Sequence, residues 1–261
     1  MTRQHLTFDC AGSLLLGSLD KGEQTAGLLL VTGGNEIRSG AFSGQADFAT
    51  QIASNGFCVF RFDRRGIGDS EGANEEFQSS AEDIAAALSA FRQHCPHLTR
   101  IIGFGNCDAA SALMLAKGAG LDGLVLSNPW TFEDQGDDEA PPEVVRDHYR
   151  NRLSDPAAIR RLLTGKVSIR KLLGSLVSAL KPAPAPSSLV QDMAAGLDGY
   201  AGSVRILVAD RDRTGKAFLA SWKKTDPRIR ICADATHAYV EPGARQWLEK
   251  QVLQALSEHA S

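Results

Sequence analysis

Short apolar blocks alternate along the chain with longer stretches of helical spacing. Residues 26–31 and 57–62 are unbroken apolar runs, apart from Arg61 in the second, and 100–106 and 121–127 are largely apolar. Runs of that length suit strands buried on both faces of a sheet. Between them, 43–55 and 77–94 carry apolar residues at helical intervals, with Gly56 as a stop after the first. Residues 6–8 and 13–19, joined by a turn at Ala11-Gly12, read as an antiparallel start. The alternation resumes with a strand at 204–209, a helix at 215–224, a strand at 228–233 and a helix at 241–256. Strand–helix alternation of this kind predicts an α/β fold, a mostly parallel sheet with helices on both faces.

The alternation breaks once. Residues 129–202 show helical patterns and no strand, which predicts a helical cap inserted into a core made of 1–128 and 203–261. Within that block, nine Lys or Arg residues between 146 and 181 stand against Asp147 and Asp155, while 133–143 holds six acids. The basic stretch reads either as a mouth for an anionic substrate or as an ordinary solvated surface. Ile169, Leu172, Leu173, Val177 and Leu180 share one helical face. Such a face packs on its own domain in the commoner case; peripheral membrane contact through 166–181 is the alternative.

Composition narrows the class. The chain is 43% hydrophobic and 23% charged, ordinary for a globular protein, and its net charge of −3 implies no nucleic-acid partner. No apolar run approaches the roughly 20 residues of a membrane span. The five cysteines (Cys10, Cys58, Cys95, Cys107, Cys232) are scattered, with no C-x-x-C, so neither a disulfide framework nor a metal site is expected. A reducing cytoplasm is the expected location.

The chemistry concentrates at Arg100–Ala110. An apolar run ends at Gly105, Cys107 follows two positions later, Ala109 two further on, and a helix-forming stretch takes over. This is a G-x-C-x-A nucleophile elbow: the small residues let strand and helix approach, and the turn lifts the sulfur over the sheet edge. The helix start favours thiolate there. The bland alternative is an inert core cysteine. A dinucleotide fingerprint, Gly103-x-Gly105-x-x-Asp108, fails because its third position is Asp108 and the acid at the right distance, Asp122, precedes the next strand.

A nucleophilic cysteine needs a base, an acid to orient it, and oxyanion donors, each just past a strand end. His237, after the last strand, fills the base position. Asp212, past the strand at 204–209, is preferred as the acid over Asp210. Gly34, with Asn35 beside it, and the Asp108 N–H are the expected oxyanion donors. Trp130 and Phe132 open the cap and are placed to line an acyl pocket.

With these residues in hand, the chain resembles the α/β-hydrolase superfamily. Residues 63–72, Asp-Arg-Arg-Gly-Ile-Gly-Asp-Ser-Glu-Gly, match that superfamily's D-x-R-G-x-G-x-S-x-G loop after the fourth strand. The likeness spans about 5–128 and 203–257. It is strongest to the exosortase A system-associated hydrolases of type 1, with their G-x-C-x-A elbow and Thr-Gly-Gly-Asn loop (here residues 32–35). Cys107 replaces the usual Ser; dienelactone hydrolase, a superfamily relative, also uses Cys. The resemblance implies an eight-stranded sheet with the cap inserted after the sixth strand. It also implies hydrolysis of esters or thioesters through an acyl-enzyme on Cys107, no cofactor, and a link to bacterial exopolysaccharide loci. The expected partner is a small acyl or sugar-linked acyl substrate. Acyl transfer to a sugar hydroxyl or amine, and a binding module with a dead site, stay open.

Overall fold

The computed structural model describes residues 3–132, 187–223 and 225–259. The basic stretch and the amphipathic face at 166–181 lie outside them, as does most of the expected cap.

One eight-stranded sheet organises the chain. Its strands are β1 (Arg3–Cys10), β2 (Ser13–Asp20), β3 (Ala26–Val31), β4 (Cys58–Phe62), β5 (Arg100–Asn106), β6 (Gly123–Ser127), β7 (Ser203–Ala209) and β8 (Ile229–Cys232). They lie in the order β1-β2-β4-β3-β5-β6-β7-β8. The β1–β2 and β2–β4 pairs are antiparallel, and every pair from β4 to β8 is parallel. The expected mostly parallel sheet is therefore the observed one. Burial explains the patterning: all residues of β3, β4 and β6 are buried, as continuous apolar runs demand, whereas edge strand β1 alternates toward its end. β1 is longer than the apolar pattern at 6–8 suggests, because its polar first half pairs with β2 residues out to Asp20.

The described helices are α1 (Gly44–Ser54), α2 (Ala81–His94), α3 (Asp108–Leu115), α4 (Ser188–Asp198), α5 (Arg213–Ser221) and α6 (Pro242–Ser257). α1 and α6 cover one face, where Phe48 and Ile52 meet Leu248 and Val252. The other four cover the opposite face, bringing Ile84, Phe91, Leu113, Met193 and Phe218 into one apolar cluster. The helical block at 129–202 is thus described only at its ends. Its last helix, α4, buries Leu189, Val190, Met193 and Leu197 in the cluster that also holds Met114. By this packing α4 lies in a layer of the core. Among the described residues no helix is long and apolar enough to cross a membrane.

The topology places the site. From β3 the chain passes through α1 to β4 on one side, then through α2 back across to β5 on the other. β3 and β5 are neighbours, with Val31 opposite Gly105 at their carboxyl ends. Their following loops diverge at that point, the switch where open parallel sheets form a crevice.

Candidate active site

Cys107 sits at the turn between β5 and α3 with φ 63° and ψ −129°. That region is costly for a residue with a side chain and persists only where surroundings enforce it. Here they do. The Cys107 N–H donates to Ser127 O at 2.9 Å, and Cys107 O accepts from Trp130 N–H at 3.3 Å, so the elbow is tied to the end of β6 and the segment beyond. Gly105 is obligatory: a Cβ there would lie 2.7 Å from Ala109 C and 2.8 Å from Ala110 N. The thiol is half-buried, unlike the other four cysteines, which are buried.

The imidazole of His237, in the loop after β8, comes back over the elbow. Its Nδ1 lies 2.9 Å from Asp212 Oδ2, and the Cys107 thiol also bears electrostatically on the ring. The Asp212 bond raises the His237 pKa to about 10, with Cys107 contributing and burial opposing. Asp212 is itself fixed as the N-cap of α5, taking the Gly215 N–H at 2.9 Å. Burial pushes its carboxyl up, but the bonds from His237 and the Gly215 and Thr214 amides outweigh that, and the net shift is downward. Of the two acids the loop offers, Asp212 reaches the imidazole. Asp210 Oδ1 is buried without a hydrogen-bond partner, and its charge bears on Cys232.

Two asparagines that the sequence reading passed over complete this side. Asn106 Nδ2 lies 3.4 Å from both His237 Nε2 and His237 O. Asn128 Nδ2 donates to Asn106 Oδ1 at 3.2 Å, while its Oδ1 accepts the Ala209 N–H at 2.8 Å. Asn128 is fully buried with φ 42°, stitching the ends of β5, β6 and β7 together beneath the imidazole. The available signal was a polar residue ending an apolar strand at the same sheet edge as the elbow.

The oxyanion side differs from expectation. Gly34, with φ 56°, follows β3 as predicted, and its N–H faces the elbow. That N–H is engaged: it donates to Asp108 Oδ1 and Oδ2, both at 2.7 Å. The carboxylate also lies against Gly33, where a Cβ would come within 2.4 Å of Oδ1. Asn35 lines the cleft and is held from its side chain, Oδ1 accepting from Asn74 Nδ2 at 2.8 Å. The Asp108 N–H opens α3 and belongs to the first-turn amides that have no partner within the helix. From the loop at 63–72, Arg64 reaches the site; its buried guanidinium donates to Gly34 O and to Ser80 Oγ.

These residues open onto a cleft of about 980 Å³ that Cys107, His237, Gly34, Phe48, Phe104 and Trp130 help to line. Phe132 stands behind the wall. It packs edge-on against Trp130 at 4.6 Å between centroids, takes the Trp130 indole N–H on its carbonyl at 2.9 Å, and lies under the Arg213 guanidinium at 5.5 Å. The structure thus brings Cys107, His237, Asp212, Gly34, Asn35, Asp108 and Trp130 to one crevice and leaves Phe132 as their support.

A family model for the alpha/beta hydrolase family matches residues 28–249. No curated protein matches the chain in sequence. Among solved structures, the esterase Pf2001 of Pyrococcus furiosus superposes with a TM-score of 0.64 at 15% identity, covering 100% of this chain and 91% of that one. The alpha/beta hydrolase GrgF from Penicillium sp. sh18 gives 0.62 at 17% identity, covering 100% and 99%. Est1E of Butyrivibrio proteoclasticus, solved with ferulic acid bound, gives 0.59 at 16% identity, covering 97% and 98%. At such identities the likeness is one of fold.

Proposed function

This chain belongs to the alpha/beta hydrolase family, and from that premise we propose that it hydrolyses ester or thioester bonds with Cys107 as nucleophile, His237 as base and Asp212 as orienting acid. The observation that carries the reading is the convergence of one half-buried thiol, one imidazole and one buried carboxylate, from three loops, at a cleft on the switch point of the sheet.

The steps follow from the geometry. The Cys107 proton passes to His237 Nε2, leaving a thiolate beside an imidazolium that Asp212 stabilises through Nδ1–H. The thiolate attacks the acyl carbon. The bond to the leaving alcohol or thiol breaks, and the leaving group takes the proton from Nε2. Neutral His237 then draws a proton from water, hydroxide attacks the thioester carbon, and the bond to Cys107 breaks to restore the thiolate. Negative charge on the acyl oxygen is met by the Asp108 N–H and, once the Asp108 side chain turns away, by the Gly34 N–H. A histidine whose pKa is raised to about 10 suits the role of cationic partner to a thiolate nucleophile. The apolar wall of Phe48, Phe104 and Trp130 suits an acyl chain.

The resemblance to the exosortase-associated hydrolases rests on residues 32–35 and on the elbow at 105–109. It supports a link to a bacterial exopolysaccharide locus and to protein sorting, and names no particular substrate. The test is a pre-steady-state burst with p-nitrophenyl acetate: one equivalent of p-nitrophenol per chain in the wild type and none in Cys107→Ala. Absence of a burst together with unchanged turnover in Cys107→Ala would remove Cys107 from the mechanism.

A further inference from the structure

A second cluster of reactive groups lies at the opposite edge of the sheet from Cys107. Cys58 is the first residue of β4, and Cys95 caps the C-terminal end of α2. Both side chains are buried, and their sulfurs are 3.5 Å apart, with the Cys95 thiol donating to Cys58. Gly22 brackets the Cys58 sulfur with its N–H and its carbonyl, each at 3.2 Å. His97 Nε2 stands 3.7 Å from the same sulfur. His97 and its neighbour Pro96 are exposed, whereas Cys58 and Cys95 themselves are 0% and 1% exposed.

Two thiols in contact are ordinary in a core. What is unusual here is their inequality. Cys58 collects a thiol donor, a backbone N–H and an imidazole, which favour its anion against the opposing Gly22 carbonyl. Cys95 shows no such set and faces the developing charge of Cys58. The Cys95 bond, helped by Gly22 and His97, lowers the Cys58 pKa against the pull of burial. The bond to Cys58, together with burial, raises that of Cys95. An attacking thiol and a resolving thiol differ in just this way.

We propose that Cys58 and Cys95 form a peroxide-responsive dithiol, separate from the active site, that closes to a disulfide between β4 and α2. The Cys58 thiolate attacks one oxygen of hydrogen peroxide, the O–O bond breaks, and hydroxide leaves and is protonated to water. Cys58 becomes a sulfenic acid. The Cys95 sulfur then attacks the Cys58 sulfur, the S–O bond breaks, and the hydroxyl departs with the Cys95 proton as a second water. Two thiols are oxidised and one peroxide is reduced. Closing the gap from 3.5 Å to a bond of about 2.05 Å asks for a small movement of each side chain.

The experiment treats the full chain with a tenfold excess of hydrogen peroxide, unfolds it in N-ethylmaleimide and maps the peptides. The expected result is a peptide pair joined through Cys58 and Cys95, with Cys10 and Cys232 still alkylated. In Cys95→Ser, dimedone is expected to trap a sulfenic acid at Cys58. Cys107 serves as the internal gauge of exposure to oxidant. If Cys58 and Cys95 are both fully alkylated in wild type at a peroxide dose that has already oxidised Cys107, the proposal fails. That outcome is read on the wild type, so it does not depend on whether the serine variant folds.

Discussion

The backbone N–H of Gly34 donates to both carboxylate oxygens of Asp108, each at 2.7 Å. Asp108 is the residue after Cys107, and Gly34 is the expected oxyanion donor. The protein therefore holds its own anion against one of the donors an acyl oxyanion would use. A preformed donor of this kind is worth about 10²–10³ in rate where it is free. Freeing it requires the carboxylate to rotate away, and a carboxylate left nearby repels the developing charge.

It follows that Asp108→Asn should be faster than wild type. The amide oxygen can still accept from Gly34, so the loop keeps its shape, but it carries no charge and lets go more readily. An increase of about tenfold in kcat/KM toward p-nitrophenyl acetate is expected, from partial recovery of one donor. A fall would mean instead that the carboxylate holds residues 33–35 in their working position.

Cys107→Ser tests what the raised pKa of His237 is for. The imidazole in the folded chain holds its second proton up to about pH 10. A thiolate can pair with that cation and still attack, whereas a serine hydroxyl needs a neutral imidazole to take its proton. Asp212 is the larger cause of the shift and stays in place in the variant. Activity of Cys107→Ser should be about 10²-fold or more below wild type at pH 7, and should recover as pH rises toward 10. A flat profile from pH 6 to 10 would contradict this account.

The elbow was legible in the sequence because its constraints are local. Gly105, Cys107 and Ala109 meet each other across one turn, and the surrounding strand and helix announce themselves by their apolar periods. His237 and Asp212 were legible by position, each just past a strand that the alternation predicts. The direction of the Asp108 side chain was not, because it depends on the loop after β3, 74 residues away along the chain. The same holds for Asn128, whose partners come from three strand ends. It holds again for Phe132, which the sequence puts beside Trp130 and the packing puts behind it. Neighbours in sequence specify backbone turns well; the facing of a polar side chain at a sheet edge is decided by elements that only folding brings near.

Gly105→Ala examines the turn itself. The added methyl would meet Ala109 C at 2.7 Å, Ala109 O at 2.8 Å and Ala110 N at 2.8 Å, all backbone atoms that cannot swing aside. Forcing strand and helix apart costs about 2 kcal/mol, an overpacking penalty, and so lowers Tm by about 4–8 °C in a chain of this size. Gly243→Ala is the control. It sits in the first turn of α6 with nothing within 4 Å of the added carbon, and its Tm should hold or rise slightly. Equal Tm for the two variants in thermal melts would show that the elbow has room the distances deny.

Asp212→Asn separates the charge of Asp212 from its place in the fold. Asparagine caps helices as well as aspartate does, so α5 keeps the bond from Gly215 and the imidazole keeps a partner at Nδ1. What is lost is the ionic part of the pair, and its pH dependence follows from the two shifts. The His237 pKa is raised from 6.5 to about 10, so its contribution to stability is fully present below pH 6.5 and is lost as pH rises toward 10. The Asp212 pKa is lowered from 3.8, so its contribution is present above pH 3.8 and is lost as pH falls through the lower folded value. Both act together between those ordinary values. The gap in Tm between wild type and Asp212→Asn should therefore be widest near pH 5–6 and should narrow steadily toward pH 10. In the same variant kcat/KM at pH 7 should fall by about 10²-fold, since the neutral amide cannot stabilise the imidazolium as the carboxylate does. A Tm gap near zero at both pH 5 and pH 9.5 would mean that Asp212 serves as a helix cap and not as a charge, and the activity loss would then need another cause.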